Sequence, residues 1–111
     1  MSAELEIKTF EIWHRDFPIF YPAVRDEELG WPQRHTLVAK IHTTDLDMAY
    51  GLTQHIERPW WHNGSVDLIQ ESRSTSIGDV IVDTVSGVAY SVEMVGFAQV
   101  AEIHLRETQP E

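Results

Sequence analysis

The sequence contains no cysteine. Across its 111 residues that excludes disulfides, a thiolate nucleophile, iron–sulfur ligation and any cysteine-based zinc site. It also has no apolar run near the roughly 18 residues that a membrane-crossing helix needs. Met1 to Glu6 show no basic stretch leading into an apolar one, so a cytoplasmic protein without membrane contact is expected. Basic residues are scarce: 8 Lys and Arg stand against 18 Asp and Glu, for a formal net charge of -10. Binding to duplex phosphate relies on Lys and Arg displacing counterions, so direct nucleic-acid binding is disfavoured. A protein partner with a basic face is not.

The acids gather towards the two ends. Residues 1–30 hold seven acids and three bases, residues 31–70 four and three, and residues 71–111 seven and two. The length gives room for one domain over 1–111 with a polar tail near 107–111. A chain of this size buries about 60–70% of its unfolded surface, which leaves little room for an enclosed active site. A homodimer is compatible with this, and no cofactor is expected.

Leu5 to Trp13 alternate imperfectly between apolar and charged residues and predict a first strand. Phe10, Ile12 and Trp13 break the period, which suggests a bulge or a strand covered on both faces. Phe17 to Pro22 is aromatic but bracketed by prolines and reads as irregular. Asp26 to Gly30 fits a single helical turn. Thr36 to His42 predicts a second strand with Leu37, Ala39 and Ile41 on one side and Val38, Lys40 and His42 on the other. Thr44 and Asp47 resemble a capping box, with Asp45 and Asp47 in the first turn of a helix over about 45–55. Gly51 in its interior would mark close packing on the sheet. Pro59 ends the helix and Asn63-Gly64 reads as a turn. Val80 to Asp83 and Val88 to Val95 form a hairpin around Ser86-Gly87, and Ala101 to Leu105 predicts a last strand. The sum is an α+β domain: a mostly antiparallel sheet with one main helix packed against it.

Six histidines, at 14, 35, 42, 55, 62 and 104, invite a metal site. None forms a His-x-x-x-His or His-Glu-x-x-His pattern. A composite of His42, His55 and His62 with Asp45 would need three elements to converge, so no metal site and no catalytic residue is assigned. Asp45, Asp47, Asp67, Asp79 and Asp83 supply carboxylates for acid–base chemistry, yet a helix start explains Asp45 and Asp47 better and a turn explains Asp79 better.

Two stretches are more distinctive. Glu71 to Val80 places Arg73, Ser74, Ser76 and Asp79 around a glycine turn that could contact an anion or a partner. The alternative is structural, with Arg73 paired to a carboxylate and Ser76 capping the turn. Arg58, Trp60, Trp61 and His62 form the best interface candidate, because adjacent aromatics in an extended segment point in opposite directions.

The chain resembles the YodL-like family of small bacterial and phage- or plasmid-associated proteins. Tyr21 to Leu29 and the strand Thr36 to Ile41 are similar to its first blocks. Thr53-Gln54-His55-Ile56-Glu57-Arg58-Pro59 is similar to its Phe-Asn-x-x-Arg-Pro motif, with Thr53 and Gln54 in place of Phe and Asn. Ser74 to Ile81 resembles Ser-Leu-Ser-Val-Ser-Asp-Val-Val, and Ala89 to Phe97 resembles Tyr-Tyr-Val-Asp-Ser-Phe-Gly-Phe. The resemblance spans about residues 21–97. It implies a mobile-element accessory protein and carries over no catalytic residue.

The function expected is a small, acidic, non-enzymatic protein-binding or accessory protein, with an aromatic anchor at Trp60-Trp61 and an acidic rim. One alternative is a nucleic-acid mimic inhibiting a nuclease or DNA-binding protein, with Asp26, Glu27, Glu28, Asp45 and Asp47 on one face. Another is a small-ligand or anion-binding domain built on the Arg73 to Asp79 turn.

Overall fold

Two hydrophobic clusters lie on opposite faces of one sheet. The structure, a computed structural model, describes residues 6–17, 29–55 and 58–100. Among them the elements run β1 (Lys8–Arg15), β2 (His35–Thr43), α1 (Leu46–Gly51), a 3-10 turn (Trp60–His62), β3 (Val66–Leu68), β4 (Val80–Asp83), β5 (Val88–Val92) and β6 (Phe97–Gln99). The sheet order is β3-β2-β1-β4-β5-β6, and every neighbouring pair is antiparallel.

Strand alternation builds both clusters. Phe10 and Ile12 of β1, Ala39 and Ile41 of β2, Ile81 of β4 and Val92 of β5 face one side, where Ala49 of α1 and Trp60 cover them. Trp13, Val80, Val82 and Ala89 face the other, beneath Leu29, Trp31 and Val100. Trp13 and Trp31 meet edge to face at 5.2 Å. The register of β1 against β2 shifts between Ile12 and Trp13, whose partners are Ala39 and Leu37. Val38 is the extra residue, so consecutive Val38 and Ala39 are both buried. The irregular pattern of β1 thus reflects two covered faces, while the bulge itself lies on β2. The strict two-sided alternation expected of β2 fails at the same point.

The helix is six residues long and not the main element that the sequence suggests over 45–55. Its start is capped by Asp45, which accepts from the Met48 N–H at 2.9 Å, and not by Thr44. Its end is set by Thr53, whose hydroxyl donates to the Ala49 and Tyr50 carbonyls at 3.1 and 2.8 Å. The Thr53 N–H also turns to the Tyr50 carbonyl at 3.1 Å, so the last turn tightens and its carbonyls are satisfied there. So short a helix does not persist alone; Ala49, Leu46 and Tyr50 hold it on the sheet. Gly51 is the last helical residue, and a Cβ there would meet nothing within 4 Å, so close packing does not explain it.

Strand β5 ends at Val92 and not Val95, because Glu93 to Gly96 turn: the Glu93 N–H donates to the Gly96 carbonyl at 3.0 Å, and Gly96 holds φ +77, where a side chain would be strained. The following strand is Phe97–Gln99. The strand predicted over Ala101 to Leu105, the aromatic stretch after Phe17, the turn at Asp26 to Glu28 and the tail at 107–111 lie outside the described residues. No helix among the described residues is long and apolar enough to cross a membrane.

Candidate functional site

The Glu71–Asp79 loop has no regular secondary structure, so its backbone needs other partners. Asp79 supplies them. Its carboxylate is fully buried and accepts from the Arg15 N–H at 2.8 Å, the Ser76 N–H at 2.7 Å, Arg73 Nη1 at 2.6 Å and Arg73 Nη2 at 2.9 Å. Arg73 also donates to the carbonyls of Arg15 and Ser74 and to Ser76 Oγ. Ser74 Oγ accepts from the His55 N–H at 2.8 Å. Both terminal guanidinium nitrogens of Arg73 are therefore engaged inside the chain, in the structural pairing with a carboxylate that the sequence also allows, and Asp79 links the loop to β1.

Two histidines lie against this cross-link. His14 is buried beneath Trp60, with Nδ1 hydrogen bonded to Ser72 Oγ at 2.7 Å and Nε2 to Thr75 Oγ1 at 2.9 Å. Its Nε2 is 3.8 Å from Asp79. Burial pulls its pKa down to about 4, Asp79 opposes this, and Arg73 and His35 reinforce it. His35 is also lowered, chiefly by burial. It bonds the Gly78 carbonyl through Nε2, while its buried Nδ1 has no hydrogen-bond partner among the described residues. The residues named for a composite metal site stay apart in function. His42 sits between Thr9 at 3.1 Å and Asp67 at 2.6 Å, His55 borders Trp60 and Trp61, and Asp45 caps α1. No cluster of three or more metal-ligating side chains occurs among the described residues.

The tryptophan pair divides clearly. Trp60 is enclosed at 1% exposure, and its indole N–H donates to the carbonyls of Ser72 and Arg73 at 3.2 and 2.9 Å. Trp61 is half-buried, edge to face with Trp60 and His55, both at 5.4 Å. Arg58 and His62 are exposed. Arg58 and Trp60 line a shallow depression of about 300 Å³ with Gln54 and Asn63.

The acidic residues lead elsewhere. Two open depressions share Asp47 and Phe97. The smaller, about 150 Å³, lies between Asp47 and Tyr50 of α1 and Val92, Glu93 and Met94. The larger, about 330 Å³, runs past Asp45 to Lys8, Asp83 and Tyr90. Together they form a groove lined by four acidic residues, Asp45, Asp47, Asp83 and Glu93, and four aromatic ones, Phe10, Tyr50, Tyr90 and Phe97. Lys8 is the one cation lining it among the described residues, and it is paired with Asp83 at 3.2 Å. Burial pushes the Asp83 pKa up, but N–H donors from Val85 and Ser86 and the Lys8 ammonium outweigh this, and the net shift is down. Such a groove can lay the aliphatic stem of Lys or Arg on an aromatic floor and meet its charge with carboxylates.

Asp45 and Asp47 were visible in the sequence. Their grouping with Glu93, Phe97 and Tyr90 was not, because the sheet order brings β5 and β6 to α1 across more than forty residues. Asp26, Glu27 and Glu28 lie outside the described residues. Compared with protein-family models, curated proteins and solved structures, the chain matches none.

Proposed function

We propose that this chain is a small, acidic, non-enzymatic protein-binding domain that receives Lys or Arg side chains of a basic partner in the groove between α1 and strands β4 to β6. One observation carries the reading: four acidic residues line the groove with the half-buried rings of Tyr50, Tyr90 and Phe97, and the single lining cation among the described residues is already paired. Met94 and Val95, 63% and 89% exposed, stand at the groove's end and supply the apolar contact that carries most binding energy, while the carboxylates steer and select. His14, whose pKa burial pulls down to about 4, is enclosed at 3% exposure beside the buried Asp79 carboxylate, away from the groove. This supports binding over catalysis. A cytoplasmic setting and a mobile-element accessory role accord with the charge and with the YodL-like motifs.

The test is an amide chemical-shift titration with a short Lys/Arg peptide at two salt concentrations. Shifts gathered at Asp47, Tyr50, Glu93 and Phe97, weakened by salt, are the expected result. Shifts scattered over the acidic surface would contradict it.

A further inference from the structure

The groove opens beside β6, an edge strand among the described residues. In the β5–β6 hairpin, Glu93 donates to Gly96 at 3.0 Å and Val100 to Ala89 at 2.9 Å. Ser91 and Ala98 are partners in register between those two pairs. Hydrogen-bonded and non-bonded pairs alternate in an antiparallel ladder, so the backbone N–H and C=O groups of Phe97 and Gln99 point away from β5. No described strand pairs with that side of β6.

Resting on the groove reading, we infer that the occupant is an extended basic segment of a partner protein, which adds to β6 as a seventh strand. A strand docked there lies about 4.8 Å from β6. Its residues opposite Phe97 and Gln99 share the face of Phe97, which lines both depressions. A Lys or Arg at those positions reaches over the Phe97 ring towards Asp47 and Glu93, and alternate residues face away. Backbone pairing supplies register without sequence information, and the alternate cations supply choice. Charge complementarity selects this occupant over a second copy of the chain, whose own carboxylates would meet these.

The experiment uses the full chain and a short peptide of alternating Lys and Thr, followed by titration calorimetry and amide exchange. Two control peptides carry backbone N-methyl groups at alternate residues, one in each register. The account expects one control to bind at least about tenfold more weakly and the Phe97 and Gln99 amides to gain exchange protection. Gln99→Pro should give the same loss with the fold retained, because its N–H lies outside the ladder. If both controls and Gln99→Pro bind unchanged while Asp47→Asn with Glu93→Gln loses binding, the strand addition is overturned and the groove reading stands. If the charge variant also binds unchanged, both are overturned. Self-association that Gln99→Pro abolishes would assign the edge to a second copy and overturn the inference.

Discussion

Phe97 of β6 and Tyr50 of α1 meet edge to face, with ring centroids 6.2 Å apart and planes at 77°. The contact ties the last described strand to the helix and sets the floor of the acidic groove.

Phe97→Ala should therefore lower stability by about 2 kcal/mol, less than for a fully enclosed ring because Phe97 is only half-buried. Urea unfolding measures this. Basic-peptide affinity should fall with it, whereas Phe97→Leu should recover most of the stability and little of the affinity, since the cation loses its ring.

The Arg73–Asp79 pair predicts a larger effect. Asp79→Asn removes the charge that faces a guanidinium and disturbs a carboxylate accepting from two backbone N–H groups. Breaking a buried pair from one side costs about 3–5 kcal/mol, a large share of what a domain of this size has. Arg73→Lys should also be destabilising, because an ammonium cannot span both carboxylate oxygens. Thermal melts followed by circular dichroism should show both losses, Asp79→Asn the greater.

Stability should depend on pH through His14. Its pKa is about 4 when folded and 6.5 ordinarily, so between those values the unfolded chain binds a proton that the folded chain does not. Stability then falls as pH drops from 6.5 to 4, by about 1.4 kcal/mol per pH unit and about 3 kcal/mol in all. His35, also lowered, acts with the same sign. Asp83, lowered from 3.8, contributes stability that is present above that value and lost as pH falls through its folded pKa. Urea midpoints measured from neutral to acid pH should trace this decline. His14→Gln should flatten the slope while lowering stability at neutral pH.

The two tryptophans should separate by experiment. Trp60→Ala empties an enclosed site and strips two carbonyls of a donor, at a cost of about 3–5 kcal/mol. Trp61→Ala should cost about half as much and leave peptide binding in the groove unchanged. Parallel denaturation and titration of both variants check this.

How far the sequence foretold these features depends on the range of the interactions. Local patterns sufficed for the β4–β5 hairpin, where Val80 to Asp83 and Val88 to Val92 flank a turn whose N–H groups Asp83 caps. They also pointed to two covered faces on β1, whereas the bulge falls on β2 at Val38, which reads as regular alternation. The apolar spacing of Leu52 and Ile56 predicts a longer helix, whereas the Thr53 N–H turns to the Tyr50 carbonyl at 3.1 Å and closes the last turn early. Asp79 reads from the sequence chiefly as a turn residue; its burial and its bond to the Arg15 backbone depend on β1 packing beside β4. The groove left no trace in any one segment, since Asp47, Glu93 and Phe97 meet only through the order of the strands.

The most direct measurement is the affinity of a short Lys/Arg peptide for the wild type and for the Asp47→Asn, Glu93→Gln variant, by calorimetry at low and moderate salt. The groove account predicts at least about tenfold weaker binding to the variant at low salt, a gap that narrows as salt rises. Equal affinity of the two proteins at both salts would contradict it.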